Sequence, residues 1–325
     1  MSAYNYKIYS QNSLTGEVFD ITTLAGEVQH STFINGQPGK LTVTLQQDPK
    51  GLLALATGSI LTFIVNGNGI FYGYVFEFSA NETGEHKIIA YDQLRYLKNK
   101  EVYITSDMTA SSIFQRVCTD NLPSSKTEVI VPSSYVVPTY LHEGKTLYEI
   151  IEYGLQHTNV SEGKQYFIKD DYGTLKFTEL AQEKTNLILG DKSLLSGYDY
   201  KMSIDNDTFN RVKMYRNNEE SGKRDVWMVF DGETERQWGK LQKLVKASDD
   251  YNEAQIRELA QNYLKLHNRE TKTMKLTAVG IPELVAGSGF TLMLERLAIN
   301  QAMWAVSATH TYSKDDHVMK LEVAI

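Results

Sequence analysis

The stretch "SILTFIVNGNGIFYGYVFEFSANETGEHKIIAYDQLRYLKNK", Ser59 to Lys100, constrains the fold more than any other part of the chain. It holds three apolar runs separated by turn residues, then passes without a loop into a short basic segment. Asn66-Gly67-Asn68-Gly69 is hairpin chemistry, because Asn and Gly accept the positive φ of a tight antiparallel turn. The longest apolar run is thereby cut in two and reads as a hairpin, not a membrane span. A second turn is expected at Asn81-Glu82-Thr83-Gly84. Ser59–Asn66, Ile70–Ala80 and Glu85–Asp92 then form a three-stranded meander, part of a barrel or sandwich. Gly73, between Tyr72 and Tyr74, is placed for a bend or bulge. Ile88, Ile89 and Tyr91 are too apolar for a strand with one wet face, so both faces need cover. Asp92 is expected to cap the following helix, with Leu94 and Leu97 docking it and Arg95, Lys98 and Lys100 complementing its C-terminal dipole. The same basic residues interleave with Tyr91 and Tyr96, a pattern that can stack bases and hold phosphates. The formal charge of −7 favours the capped helix over a phosphate grip.

At 325 residues the chain exceeds what one core normally serves, so two or more domains are expected. Before the meander, Leu41, Val43 and Leu45 alternate with Thr42, Thr44 and Gln46, the period of a half-buried strand. After Lys100 the texture changes. Ile113, Phe114, Val117 and Cys118 have helical spacing, with Thr109 or Ser111 placed to cap. Thr146-Leu147-Tyr148-Glu149 is a capping box ahead of Ile150, Ile151, Gly154 and Leu155 on one face. Tyr166 and Ile168, a turn at Asp170-Asp171-Tyr172-Gly173, then Leu175 and Phe177 make a hairpin. Strand character returns from Leu187. It is followed by a helix with Ile256, Leu259, Ala260, Tyr263 and Leu264 in one stripe and Asp250 with Glu253 at its start. Strands close the chain at Lys275–Val279, Gly289–Leu294, Met303–Tyr312 and His317–Val323. The fold class is α+β and β-rich. Residues 1–103 form a β-domain and 104–184 an α+β module; 185–325 form a second β-domain with a helix-containing insertion at about 220–273.

Motifs for chemistry are scarce. The seven histidines make no His-x-x-x-His pair and no Cys/His metal spacing. His310 with Asp315, Asp316 and His317 is the densest set of ligand types, and its position between two strands reads as a solvated turn. Asp205-Asn206-Asp207 lacks the glycine and closing glutamate of a calcium loop. Gly287-Ser288-Gly289 lacks the Gly-x-Ser-x-Gly spacing of a nucleophile elbow and reads as a turn. Among forty acids no pair is selected for glycosidase chemistry. No catalytic residue, metal ligand or cofactor is assigned. Cys118 stands alone and makes no internal disulfide. The N-terminus carries no basic segment followed by an apolar run, so synthesis in a bacterial cytoplasm without a signal peptide or membrane anchor is expected.

Taken together, the segments resemble the baseplate hub proteins of contractile phage tails, XkdQ/YqbQ type, in the late control D superfamily. The resemblance rests on the Ser59–Lys100 stretch, where a Phe-x-Gly strand (Phe71, Gly73) precedes a strand ending in Asp92. It extends through "EGKTLYEIIEYGLQHT", "QYFIKDDYGTLKFTEL" and "NDTFNRVKMY", the last resembling the opening of a second barrel. "AVGIPELVAGSGFTLML" and "MWAVSATHTYSKDDHVMKLEV" resemble the closing strands, with Val306 and His310 at matching places. The order and spacing hold along nearly the whole chain.

The resemblance implies two tube-like β-barrels per chain and a homotrimeric ring that adapts a sixfold tail tube to a threefold central spike. It also implies baseplate wedge components as partners, no specific nucleic acid, and a place in the virion or in a phage-tail-like particle such as a defective prophage or bacteriocin. It carries no catalytic residues. Phe71, Gly73, Tyr91, Asp92 and Arg95 are the residues it marks for a structural joint or interface. The negative charge would suit a lumen that repels passing DNA. A cell-wall hydrolase acting in tail penetration and a carbohydrate-binding tail module are the competing classes.

Overall fold

The alternation of apolar side chains fixes most strands. The computed structural model describes residues 5–34, 36–45, 56–82, 85–122, 125–205, 207–218, 222–247, 251–314 and 316–324. Thr83 and Gly84 of the expected second turn, Asn206, Asp250 and Asp315 lie outside these residues. The chain begins with β1 (Tyr6–Gln11), β2 (Val18–Asp20), β3 (Ala25–Phe33), β4 (Lys40–Leu45), β5 (Ile60–Val65), β6 (Asn68–Ala80) and β7 (His86–Tyr91). A 3₁₀ turn, Gln93–Lys98, leads to β8 (Lys100–Thr105), α1 (Ala110–Asn121), β9 (Lys126–Val129), β10 (Tyr140–Thr146), α2 (Leu147–Glu162), β11 (Tyr166–Asp171) and β12 (Thr174–Glu179). There follow β13 (Lys184–Gly190), β14 (Leu195–Ser203), β15 (Arg211–Asn218), β16 (Lys223–Phe230), α3 (Gly232–Trp238), β17 (Gln242–Lys246) and α4 (Glu253–His267). The chain ends with β18 (Thr271–Val279), β19 (Gly289–Leu294), β20 (Ile299–Tyr312) and β21 (His317–Ala324).

Two compact units divide the chain: Met1–Tyr198 with Lys275–Ala324, and Asp199–Met274. In the first, β5, β6 and β7 form the expected meander. Leu41, Val43 and Leu45 are all fully buried, as their alternation requires. The main sheet has 13 strands and runs β14-β18-β21-β20-β3-β4-β7-β6-β5-β1-β2, with β13 and β19 branching from β20. The path is open at both ends. In place of two separately closed sheets, the described hydrogen bonds trace one sheet in which strands from the two ends of the chain lie side by side. The cause is the length of β20. Ser307–Tyr312 pairs with β3 on one edge and with β21 on the other, while Ile299–Trp304 pairs with β19.

Gly73 is not itself the bulge. Register shifts fall on either side of it, at Phe63/Ile64 against β5 and at Val75/Glu77 against β7. Gly73 is instead required by a close approach: a Cβ there would stand 2.2 Å from the Tyr91 carbonyl oxygen and 2.6 Å from the Phe71 ring.

The α+β module builds its own core from α1, α2 and the β11–β12 hairpin, with Ile113, Phe114, Val117, Ile150, Ile151, Leu175 and Phe177 buried. Thr109 caps α1. At α2, Thr146 accepts from the Glu149 amide at 3.1 Å while Glu149 accepts from the Thr146 amide at 2.8 Å, the reciprocal box read from the sequence. The hairpin turns at Tyr172-Gly173, both at positive φ (48° and 85°).

The second unit packs one face of the sheet β16-β15-β17 on α4, through Val212, Met214, Ile256 and Ala260. Its capping box lies two residues beyond the expected acids: Asn252 is the cap and Gln255 its box partner. β15, expected to open a second barrel, pairs here with β16 and β17. The short helix α3 carries no apolar stripe that periodicity could reveal, and it is held instead by Asp231, which accepts from the Glu233 and Thr234 amides.

Thr146→Ala removes one half of the α2 box and leaves a helix N–H without its partner. It is expected to lower stability by about 1 kcal/mol in urea denaturation with an unchanged slope.

Candidate functional site at the Asp92 junction

Between Ile88 and Leu97 the chain places apolar side chains in two different cores. Ile88 and Ala90 of β7 are fully buried with Val28, Leu41, Phe63 and Phe71 in the sheet core. Leu94 and Leu97, only a few residues later, are buried among Ile113, Ile150 and Phe177 of the α+β module. Asp92 stands at the crossing, 6% exposed. Its Oδ2 accepts from the Gly39 amide at 2.7 Å and its Oδ1 from the Leu94 amide at 3.0 Å. Its own amide donates back to the Gly39 carbonyl at 3.1 Å. One carboxylate thus caps the 3₁₀ turn and ties it to the start of β4. Glycine is needed opposite, because a Cβ on residue 39 would meet Asp92 Oδ2 at 2.3 Å.

A second carboxylate completes the junction. Asp170, at the end of β11, accepts from the Gln93 amide at 3.2 Å and from the Gly173 amide at 2.7 Å. It therefore fastens the hairpin to the same 3₁₀ turn. Burial raises the Asp92 pKa well above the ordinary carboxylate value, the Asp170 charge raises it further, and the Gly39 and Leu94 amides oppose the shift. Asp170 is raised chiefly by burial too, against the Gly173 and Gln93 amides.

An aromatic layer covers the outer side of β6 and β7. Tyr91 meets Phe76 edge-on at 5.5 Å, Phe76 meets Tyr96 at 6.0 Å, and Tyr96 meets Tyr74 at 5.8 Å. Tyr72 joins Tyr74 to Tyr172 at the hairpin tip. Arg95 lies over Phe76, 5.0 Å from its centroid. These contacts give Tyr91 the cover that its apolar ring demanded. Of the five marked residues, Gly73 lies against both Phe71 and the Tyr91 carbonyl, Asp92 follows Tyr91 directly, and Arg95 reaches the layer through Phe76. Gly39 as the partner of Asp92, and Asp170 as the partner of Gln93, escaped the sequence reading. Asp170 is 77 residues from Gln93, and its turn chemistry gave no sign of a remote bond.

The histidine reading needs correction. His310 and His317 are buried (0% and 1% exposed), not solvated. They face each other across β20 and β21 with His310 Nδ1 and His317 Nε2 3.0 Å apart, and His310 Nε2 donates to the Leu284 carbonyl at 3.0 Å. Burial lowers the pKa of His310 to about 4, and that of His30 and His317 to about 3. Three neutral rings suit a core. Among the described residues no cluster of three or more His, Cys, Asp or Glu side chains could hold a metal ion, and no helix is long and apolar enough to cross a membrane. Ser288 accepts from the Val285 amide at 3.2 Å, as a turn residue does.

The model of the YQBQ-like family matches residues 28–324. The phage-like element PBSX protein XkdQ of Bacillus subtilis is 27% identical over 287 residues, covering 87% of this chain and 86% of that protein. The 43 kDa tail protein of prophage MuSo2 from Shewanella oneidensis has the same fold at 13% identity, with a TM-score of 0.73 over 98% of both chains. The E. coli c3393 protein, a type VI secretion component described as structurally similar to the T4 tail proteins gp27 and gp5, gives a TM-score of 0.59 at 10% identity. That match covers 98% of this chain and 76% of the other. The chain belongs to the YQBQ-like family.

Asp92→Ala strips a cap and leaves the buried Gly39 and Leu94 amides without acceptors, so a loss of about 2–4 kcal/mol is expected. A carboxyl whose folded pKa is raised binds its proton more tightly folded than unfolded, so its contribution to stability falls as pH rises above the ordinary carboxylate value. The loss on substitution should therefore be larger at about pH 5 than at about pH 8, read from urea unfolding at both.

Proposed function

We propose that the protein is the baseplate hub of a contractile tail: three copies form a ring that joins a sixfold tube to a threefold central spike, with baseplate wedge components outside it. Each chain would contribute two curled, tube-like halves of its sheet, with the α+β module between them, and Phe71, Gly73, Tyr91, Asp92 and Arg95 as the joint between sheet and module. Self-association rests on one observation above all, the presence of two dissimilar uncovered apolar faces. On the β8–β10 ribbon, Val102, Ile104 and Leu141 are 62%, 55% and 48% exposed, with Ile104 and Leu141 directly paired. On the sheet of the second unit, Val226, Met228, Phe230 and Leu244 are 46–57% exposed on the side away from α4.

Clustered exposed apolar side chains are the mark of partner surfaces. Dissimilar faces meet heterologously, and heterologous contacts either close into rings or run on as fibres. The likeness to c3393, itself described as similar to T4 tail proteins, supports a place next to a spike. Obligate ring contacts of this kind bury on the order of 2,000 Å² or more.

Light scattering of the full chain, alone and mixed with the neighbouring spike protein, tests the ring. A species of three chain masses is expected, and Ile104→Glu and Phe230→Glu should each shift it to the single-chain mass while leaving the denaturation midpoint nearly unchanged. A chain that stays monomeric with both partners present would overturn the reading. A clear zone on peptidoglycan, lost with one carboxylate substitution, would favour the hydrolase instead.

A further inference from the structure

Beside the Asp92 junction lies a cleft of about 290 Å³, wholly within the first unit. Tyr172, 39% exposed, stands at its rim, while buried His30, Phe71 and Asp92 and half-buried Asp170 line its inner part. Two features there lack a partner. The first is charge. Asp92 is buried with half-buried Asp170 beside it, and the side-chain charges acting on them are those of other carboxylates. Lys169, the cation of the cleft wall, is committed to Glu183. Each carboxylate accepts one backbone N–H on each oxygen, whereas an ionised carboxylate offers about four acceptor sites. The second feature is His30. It is 2% exposed, lines the same cleft, and its Nδ1 is buried with no hydrogen-bond partner.

We propose that this cleft is a receptor for a guanidinium group, an arginine side chain presented by a protein partner. The chemistry selects it. A guanidinium carries five N–H donors in a planar fork and no acceptor, and it keeps its charge on burial better than an ammonium does. The free acceptor sites of Asp92 and Asp170 take two of those donors as charge-assisted bonds, and the His30 Nδ1 lone pair takes another. Phe71 and Tyr172 supply aromatic surface beside the cation. Unfilled, the site leaves buried acceptors unmatched; filled, it gives two neighbouring carboxyls the positive charge that burial otherwise denies them. The site stands independently of the ring: a monomeric chain would hold it equally.

The test is a titration of the full chain with N-methylguanidinium, read through the ring-nitrogen shifts of His30 in ¹⁵N-histidine-labelled protein. N-methylurea, its neutral counterpart, and methylammonium serve as parallel probes. Saturable movement of the His30 Nδ1 resonance by N-methylguanidinium is expected, with little movement by N-methylurea and weaker binding of methylammonium. Asp170→Asn, confirmed as folded by circular dichroism, should weaken the binding about tenfold or more. An equal response to N-methylurea, or no saturable response in the unaltered chain, would overturn the proposal whether or not the variant folds. Undiminished binding by a folded Asp170→Asn would do the same.

Discussion

The carboxylate of Asp92 is the constraint from which the rest of the first unit follows. A buried carboxylate is costly unless hydrogen bonds replace its water. Here the replacement comes from backbone amides on two elements, Gly39 ahead of β4 and Leu94 in the 3₁₀ turn. Asp170 repeats the device with Gln93 and Gly173. Four N–H groups from the strand start, the 3₁₀ turn and the hairpin tip are thus fixed by two side chains. Each bond contributes only about 1 kcal/mol net, but leaving any of these buried donors unmet costs about 1–3 kcal/mol, so the arrangement is strongly specified. Burial still outweighs the amides at both carboxyls, and their protons are held more tightly than in water.

That fixed point lets a very short piece of chain serve two cores. Ile88 and Ala90 belong to the sheet, Leu94 and Leu97 to the module. A flexible linker between such bodies would leave their orientation to weak surface contacts; here the linker is itself core. Close backbone approach makes this workable. Gly39 sits against the Asp92 carboxylate, Gly73 against the Tyr91 carbonyl, and Gly173 against the Tyr72 ring, each where a Cβ would come within 2.8 Å of its neighbour.

Local order was legible in the sequence wherever its cause was local. The meander followed from Asn-Gly turns, α2 from its capping box, and the buried face of β4 from strict alternation. Asp92 as a cap was legible for the same reason. What could not be read were bonds spanning long separations: Asp170 to Gln93, His30 beside His310, β3 against β20. His310 and His317 looked solvated because they flank the turn between two strands, yet pairing of β20 with β21 turns both rings inward. Of the bend or bulge expected at Gly73, the register shifts fall to either side of it, and the glycine answers to Tyr91 on the next strand. Asn252 displaced the expected acid cap of α4 because capping depends on which residue leaves the helix first, and Asn serves as well as Asp.

Residue-resolved native-state hydrogen exchange of the full chain tests most directly whether the Asp92 junction makes sheet and module one cooperative body. The amides of Gly39, Gln93, Leu94 and Gly173 should open with the same free energy as that of Ile88 in β7, and that energy should match global unfolding. Exchange of Gln93 and Gly173 through a separate, lower-energy opening, with Ile88 still protected, would contradict it.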